Sequence, residues 1–172
     1  MRHRSALVLS LLFALGSCHA PAFDGLVAQS RQLDDREPHR TRLGEVEVLS
    51  IHQLKSAQPG FGGISGISCE SRTATAISDV GHWLRFTMDV DGQGRPVAFG
   101  DLAIARLGGI EGRKDDSDAE EVTATPEGWV VSFERRHRLL FYRDGMSGKP
   151  ERLSAPPSYD SQPENGGVEA VT

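Results

Sequence analysis

An internal repeat constrains this chain more than any other feature. The stretch Ile67–Asp89 (ISCESRTATAISDVGHWLRFTMD) overlays Val122–Asp144 (VTATPEGWVVSFERRHRLLFYRD) at an offset of 55 with no gap. His82 falls on His137, Leu84 on Leu139, Phe86 on Phe141 and Asp89 on Asp144. Only these four of 23 positions are identical, so the repeat rests on its pattern, in which the acid Asp79 also meets the acid Glu134. Both copies run into one kind of turn, Asp91-Gly92-Gln93-Gly94-Arg95-Pro96 and Asp144-Gly145-Met146-Ser147-Gly148-Lys149-Pro150. A third copy opens at Val168-Glu169-Ala170-Val171-Thr172, which matches Ala119-Glu120-Glu121-Val122-Thr123. Repeats of roughly 40–50 residues made of short strands are the signature of β-propeller blades. The expected fold class is all-β: propeller-like repeats of four-stranded antiparallel blades. Two unrelated hairpins that look alike are the competing reading.

Strand patterning supports the first reading. Leu84, Phe86 and Met88 share one face while Arg85 and Thr87 share the other, the period of two that marks a half-buried strand. Ala74–Ser78 precedes it, and Trp129–Phe133 and Leu139–Tyr142 are the counterparts in the second copy. Outer strands are expected near Val97–Leu102 and Glu151–Ser154, and a first strand over Val46–Leu54. Gly60–Gly66 (GFGGISG) carries four glycines in seven residues, which predicts a tight loop or a close backbone approach. Lys114–Glu121 is acidic and looks like a helix start, but it leads straight into the repeated strand. About two and a half blades fit between Leu43 and Thr172. Propellers close with four or more blades, and an open one leaves bare strand edges. The expectation is therefore a fragment of a longer protein or a truncated gene product, with closure by self-association as the alternative.

The N-terminus reads as an export signal. Arg2, His3 and Arg4 precede the apolar run Ala6–Leu15, which is too short for a span of ~20 residues and right for a signal peptide over residues 1–22. Two processing readings stand. Leu15-Gly16-Ser17-Cys18 matches a bacterial lipobox, with Cys18 lipidated; alternatively, cleavage follows Ala22. The expected location is the periplasm, an outer-membrane lipid anchor at Cys18, or the medium. Residues 23–42 are polar and read as a flexible tether, and residues 43–172 as the partial propeller domain. If Cys18 is removed or acylated, Cys69 is the only other cysteine and has no disulfide partner; it is expected to be a buried, inert thiol. A net charge of −5 argues against a nucleic-acid partner while leaving room for a small phosphorylated or ester substrate in a local basic pocket.

Gly62-Gly63-Ile64-Ser65-Gly66-Ile67, Ser78-Asp79-Val80-Gly81, Asp118-Ala119-Glu120-Glu121-Val122, Val131-Ser132-Phe133-Glu134-Arg135 and Asn165-Gly166-Gly167-Val168-Glu169-Ala170 together resemble the phytase-like domain, the group described as "esterase-like activity of phytase". The resemblance covers Leu43–Thr172 and corresponds to roughly the first half of that domain. It implies a β-propeller in an exported bacterial protein, and phosphoester or ester hydrolysis. Glu121 departs from the pattern, which has glycine at that position.

Equivalent positions of successive blades come round to one axis. Glu120 and Glu169 open inner strands, and Asp79 and Glu134 end the strands that follow. The four carboxylates are therefore expected to converge, and such hard oxygen ligands suit Ca²⁺, or Mg²⁺ with more waters. A cation there would polarise a phosphoryl oxygen and acidify a water. The competing reading is that each acid caps a blade by accepting loop N–H groups. Glu120 and Glu169 are the candidate catalytic acids; Asp79, Glu120, Glu134 and Glu169 are the candidate metal ligands. The run Asp115–Asp118 reads as a solvated loop, with a metal loop as the lesser alternative, since it lacks the glycine and terminal Glu of an EF-hand loop. Arg135 is the candidate anion contact, since arginine forks match phosphate oxygens; with His137 it forms the candidate substrate-binding pair. His137 and its repeat partner His82 also fit a structural hydrogen bond. Ser65 is not a nucleophile elbow, because Gly-x-Ser-x-Gly needs glycine where Ile67 stands. The functional expectation is an exported, metal-assisted hydrolase; the alternative is a non-catalytic propeller that binds a ligand or another envelope protein.

Overall fold

A computed structural model describes residues 25–159, 161–164, 166 and 171. The signal segment, Cys18 and Glu169 lie outside the described residues. Thirteen elements follow one another: β1 Val27–Arg31, β2 Arg42–Leu43, β3 Val46–Glu47, β4 Ile51–Lys55, β5 Ile64–Glu70, β6 Thr73–Ser78, β7 His82–Val90, β8 Pro96–Arg106, α1 Lys114–Ser117, β9 Ala119–Thr125, β10 Gly128–Phe133, β11 Arg138–Tyr142 and β12 Glu151–Arg152. Strands β5 to β8 form one four-stranded antiparallel meander and β9 to β12 a second, each in simple sequence order. This is the up-and-down topology of two propeller blades, and β5 lies beside β9, so the blades meet through their innermost strands.

The registers prove the repeat and also correct it. Ile67 pairs with Ala76 and Val122 with Val131; Ile64 pairs with Ser78 and Ala119 with Phe133. The offset of 55 holds through the first two strands of each blade, including a bulge at Ser65 that recurs at Glu120. It then fails by one. Ala76 pairs with Leu84, whereas Val131 pairs with Leu140. The second hairpin holds one extra residue, and Arg135 within it adopts φ 58°. A one-residue shift moves side chains to the opposite face. The buried counterparts of Leu84 and Phe86 are therefore Leu140 and Tyr142. His82 corresponds to Arg138, so the expected equivalence of His82 and His137 is overturned.

Between the sheets lies the core of Ile77, Leu107, Ala119, Val122, Val131, Phe133, Leu140, Tyr142 and Met146. Gly66 makes the close blade contact feasible: a Cβ there would sit 2.7 Å from the Glu121 Cα. Tyr142 is fully buried and donates its hydroxyl to the Gly108 carbonyl at 3.1 Å, tying the interblade connection to β11. Burial pushes the phenol well above its ordinary pKa, so it stays a donor. Tyr142→Phe keeps the packing and loses this bond; a loss of ~1 kcal/mol is expected in urea unfolding.

Lys114–Ser117, expected to lead straight into the strand, first makes one helical turn, and three further details differ from the sequence-based expectations. Val46–Leu54 is two strands: β3 pairs with β2, and β4 pairs with β1. Within the expected tether, Val27–Arg31 is extended and paired along its whole length with Ile51–Lys55, held by backbone bonds while all five residues remain exposed. His52 of β4 then meets Phe99 of β8 at 5.1 Å, which seats this ribbon on the first blade. Cys69 is exposed rather than buried, because it shares with Ile67 the face of β5 turned away from Gly66 and the second blade.

Candidate functional site

The acids gather where β6 and β10 end and β9 begins. Equivalent backbone bonds set them there: the Asp79 amide donates to the Gly63 carbonyl at 2.9 Å, and the Glu134 amide to the Asp118 carbonyl at 3.0 Å. Gly63 and Asp118 are thus repeat partners. Gly63 has φ +58°, the left-handed region that favours glycine, and a Cβ on it would displace the Asp79 carboxylate. In the second blade Asp118 takes that place and brings a fifth acid that the sequence pattern had assigned to a solvated loop.

Asp118 is the centre of the arrangement. It is 2% exposed. One turn of helix α1 puts Lys114 four residues before it and on the same side. The Lys114 ammonium donates to Asp118 Oδ1 at 2.6 Å, and to the Asp79 carbonyl and Oδ2 at 3.0 and 3.2 Å. Arg135 Nε, aimed by its left-handed backbone, donates to Asp118 Oδ2 at 2.5 Å. Burial alone would raise the Asp118 pKa, but hydrogen bonds from Lys114 and Arg135, and their charges, outweigh it and hold the carboxyl below the ordinary aspartate range. Lys114 is correspondingly held above its ordinary value, its contacts with Asp118 and Asp79 overcoming desolvation.

Asp118, Glu120 and Glu134 each present one oxygen within 4.8 Å of the others. Glu120 and Glu134 are two of the four acids expected to converge; Asp118, read mainly as part of a solvated loop, joins them. Asp79 reaches the group through Lys114 rather than joining it directly, and Glu169 lies outside the described residues. The residue set suits a divalent cation on charge: four acids (Asp79, Asp118, Glu120, Glu134) face two bases (Lys114, Arg135), leaving two negative charges. Ionised carboxylates offer about four lone-pair sites, so Asp118 retains acceptor capacity beyond Lys114 and Arg135. Oxygen donors within 4.8 Å of one another are close enough to share one hard divalent cation.

Beside the acids lies a basic cleft of about 410 Å³ lined by Asp116, Arg135, Arg136, His137, Arg138 and Arg152. Arg135 lines the cleft and touches the acid cluster at once. Arg136 pairs with Asp116 at 2.7 Å. Arg138 stacks its guanidinium 4.1 Å from the Phe133 ring centre, which sets its position. His137 is 8% exposed; Nε2 lies 3.1 Å from the Gln162 carbonyl and the ring packs edge-on against Tyr159. His82 sits elsewhere, under Gly60, its pKa lowered by burial and then by Arg106. Ser65 donates to the Ala119 carbonyl at 2.5 Å and so serves the blade contact. The deduction of the basic cleft from sequence was within reach in the run Arg135-Arg136-His137-Arg138, but Arg152 joins it only through pairing of β12 with β11.

No curated protein and no solved structure matches the chain significantly. A family model does match, over residues 59–172, which takes in both blades, the acid cluster and the basic cleft. With about two thirds of its length under that match, the chain belongs to the phytase-like family, described as "esterase-like activity of phytase".

Proposed function

We propose that this domain belongs to an exported, metal-assisted phosphoester or ester hydrolase, with calcium as the cation. Asp118, Glu120 and Glu134 would hold the ion, with Glu169 as a further candidate from the third repeat. The ion would polarise the phosphoryl or acyl oxygen and acidify a water. Arg135, together with Arg136, Arg138 and Arg152, would orient the anionic group, while Asp116 and Phe133 keep two of these guanidinium groups in place. One observation carries this reading: Arg135 joins the metal-capable acids to the basic cleft, so a cation and a substrate anion would sit side by side.

The test combines calcium binding by calorimetry with phosphate release from a chromogenic monoester. Saturable calcium binding, weakened on the order of tenfold by Glu134→Gln through loss of one charged ligand, and calcium-dependent turnover are expected. Unchanged calcium affinity in Glu134→Gln and in Glu120→Gln would remove the metal assignment. A second reading, a non-catalytic binding propeller, has its own support: both Asp118 oxygens already accept from Lys114 and Arg135, so the acids also work as a latch between blades. Metal-independent stability with no turnover is its expected signature.

A further inference from the structure

Between the two sheets, toward the other end of the strands, lies a second groove. Thr75, Arg85 and Trp129 line both a cavity of about 240 Å³, shared with Ser68, Glu70 and Thr73, and a cavity of about 130 Å³, shared with Trp83 and Met146. The chain has two tryptophans, and both face this groove. They come from unrelated repeat positions: Trp83 from the start of β7, Trp129 from the start of β10. Trp83 is fixed by its indole N–H, which donates to Ser147 Oγ at 2.8 Å.

The polar side chains here are unused. Ser68, Thr75 and Arg85 are cross-strand neighbours, forming one row over β5, β6 and β7. Neither their side chains nor those of Glu70, Thr73 and Trp129 have a hydrogen-bond partner among the described residues, and Arg85 and Glu70 form no ion pair with each other. The fold does not demand this polar row either. By the corrected repeat register, the second blade places Val130 opposite Phe141 where the first places Thr75 opposite Arg85. The groove therefore carries indole surface, four hydroxyls (Ser68, Ser71, Thr73 and Thr75), one cationic fork and one carboxylate, with the two charges balanced. Apolar ring faces set among a few convergent polar groups are the make-up of a small-molecule site. A phosphate would favour the basic cleft instead, where four arginines outnumber the single carboxylate of Asp116; here one arginine is matched by one carboxylate. A sugar matches, because its C–H faces stack on indole and its vicinal hydroxyls both donate and accept.

We infer that the interblade groove formed by Trp83, Trp129, Thr75, Arg85 and Glu70 is a carbohydrate-binding site for a neutral sugar ring, separate from the acid cluster. Both indoles report on it directly. Titration with maltotriose and cellotriose is expected to change tryptophan fluorescence saturably for at least one of them. Arg85→Ala and Glu70→Gln, both at exposed positions, are expected to keep the melting temperature and weaken that sugar about tenfold each, the effect of one charge-assisted hydrogen bond. No saturable change with either trisaccharide overturns the inference. So does a response that both variants retain in full, or one that inorganic phosphate reproduces. The titration needs neither metal nor turnover, so its outcome is independent of the hydrolase reading.

Discussion

Asp118→Asn is expected to destabilise the domain by ~2 kcal/mol and to abolish calcium binding at the acid cluster. The carboxylate accepts two charge-assisted bonds, each worth about 1.5–3 kcal/mol. Lys114 and Arg135 stay partly exposed and can be rehydrated, so the full cost of stranding two buried cations does not arise. The pH dependence has a definite sign. The folded carboxyl titrates below the ordinary value of 3.8, so the unfolded chain takes up the proton first as pH falls. The contribution of Asp118 is complete above that value and lost as pH drops through the folded one. Urea unfolding of both proteins should therefore show a gap at neutral pH that narrows in acid; a constant gap would refute the ion-pair account. Lys114→Met separates the latch from the metal site. It removes one of two cations facing the acids, so calcium affinity should rise while metal-free stability falls. A fall in both would leave only the latch.

Gly66→Val is the second large effect, with an expected loss of ~3 kcal/mol, at the upper end for overpacking. The obstruction is backbone: a Cβ at residue 66 would meet the Glu121 Cα at 2.7 Å and the Glu120 carbonyl oxygen at 2.9 Å. Backbone cannot rotate aside as a side chain does, so β5 and β9 must separate. Because Glu120 lies in β9, the same substitution should weaken calcium binding, although residue 66 carries no ligand. Glu121 is the repeat partner of Gly66. Its carboxylate turns back to accept the Val122 amide at 2.8 Å. Equal stability of Gly66→Val and the parent in thermal melts would show that the blades are not in contact as described.

The blades were legible because their causes are local. Alternation of Leu84 and Phe86 with Arg85 and Thr87 dictates one buried face, and the turn after Asp89 places glycine where the chain must reverse. Gapless matching misled at a single point. An added residue in the hairpin between β10 and β11 leaves the sequence similarity almost intact, since Leu139 and Phe141 resemble Leu84 and Phe86 as well as Leu140 and Tyr142 do. The structure resolves the choice through burial on one face, and His82 and His137 part company as a result. The same hairpin gives Arg135 its left-handed backbone and turns it onto Asp118.

By itself, then, the amino-acid order determined the all-β repeats and the strands within them, because period-two patterning and recurrent turns act over a few residues. Tertiary structure alone decided that Asp118 is the hub, that Lys114 stands between it and Asp79, and that two tryptophans from unequal repeat positions face one groove. Those outcomes depend on how two sheets are laid against each other, and a linear pattern carries no measure of that distance.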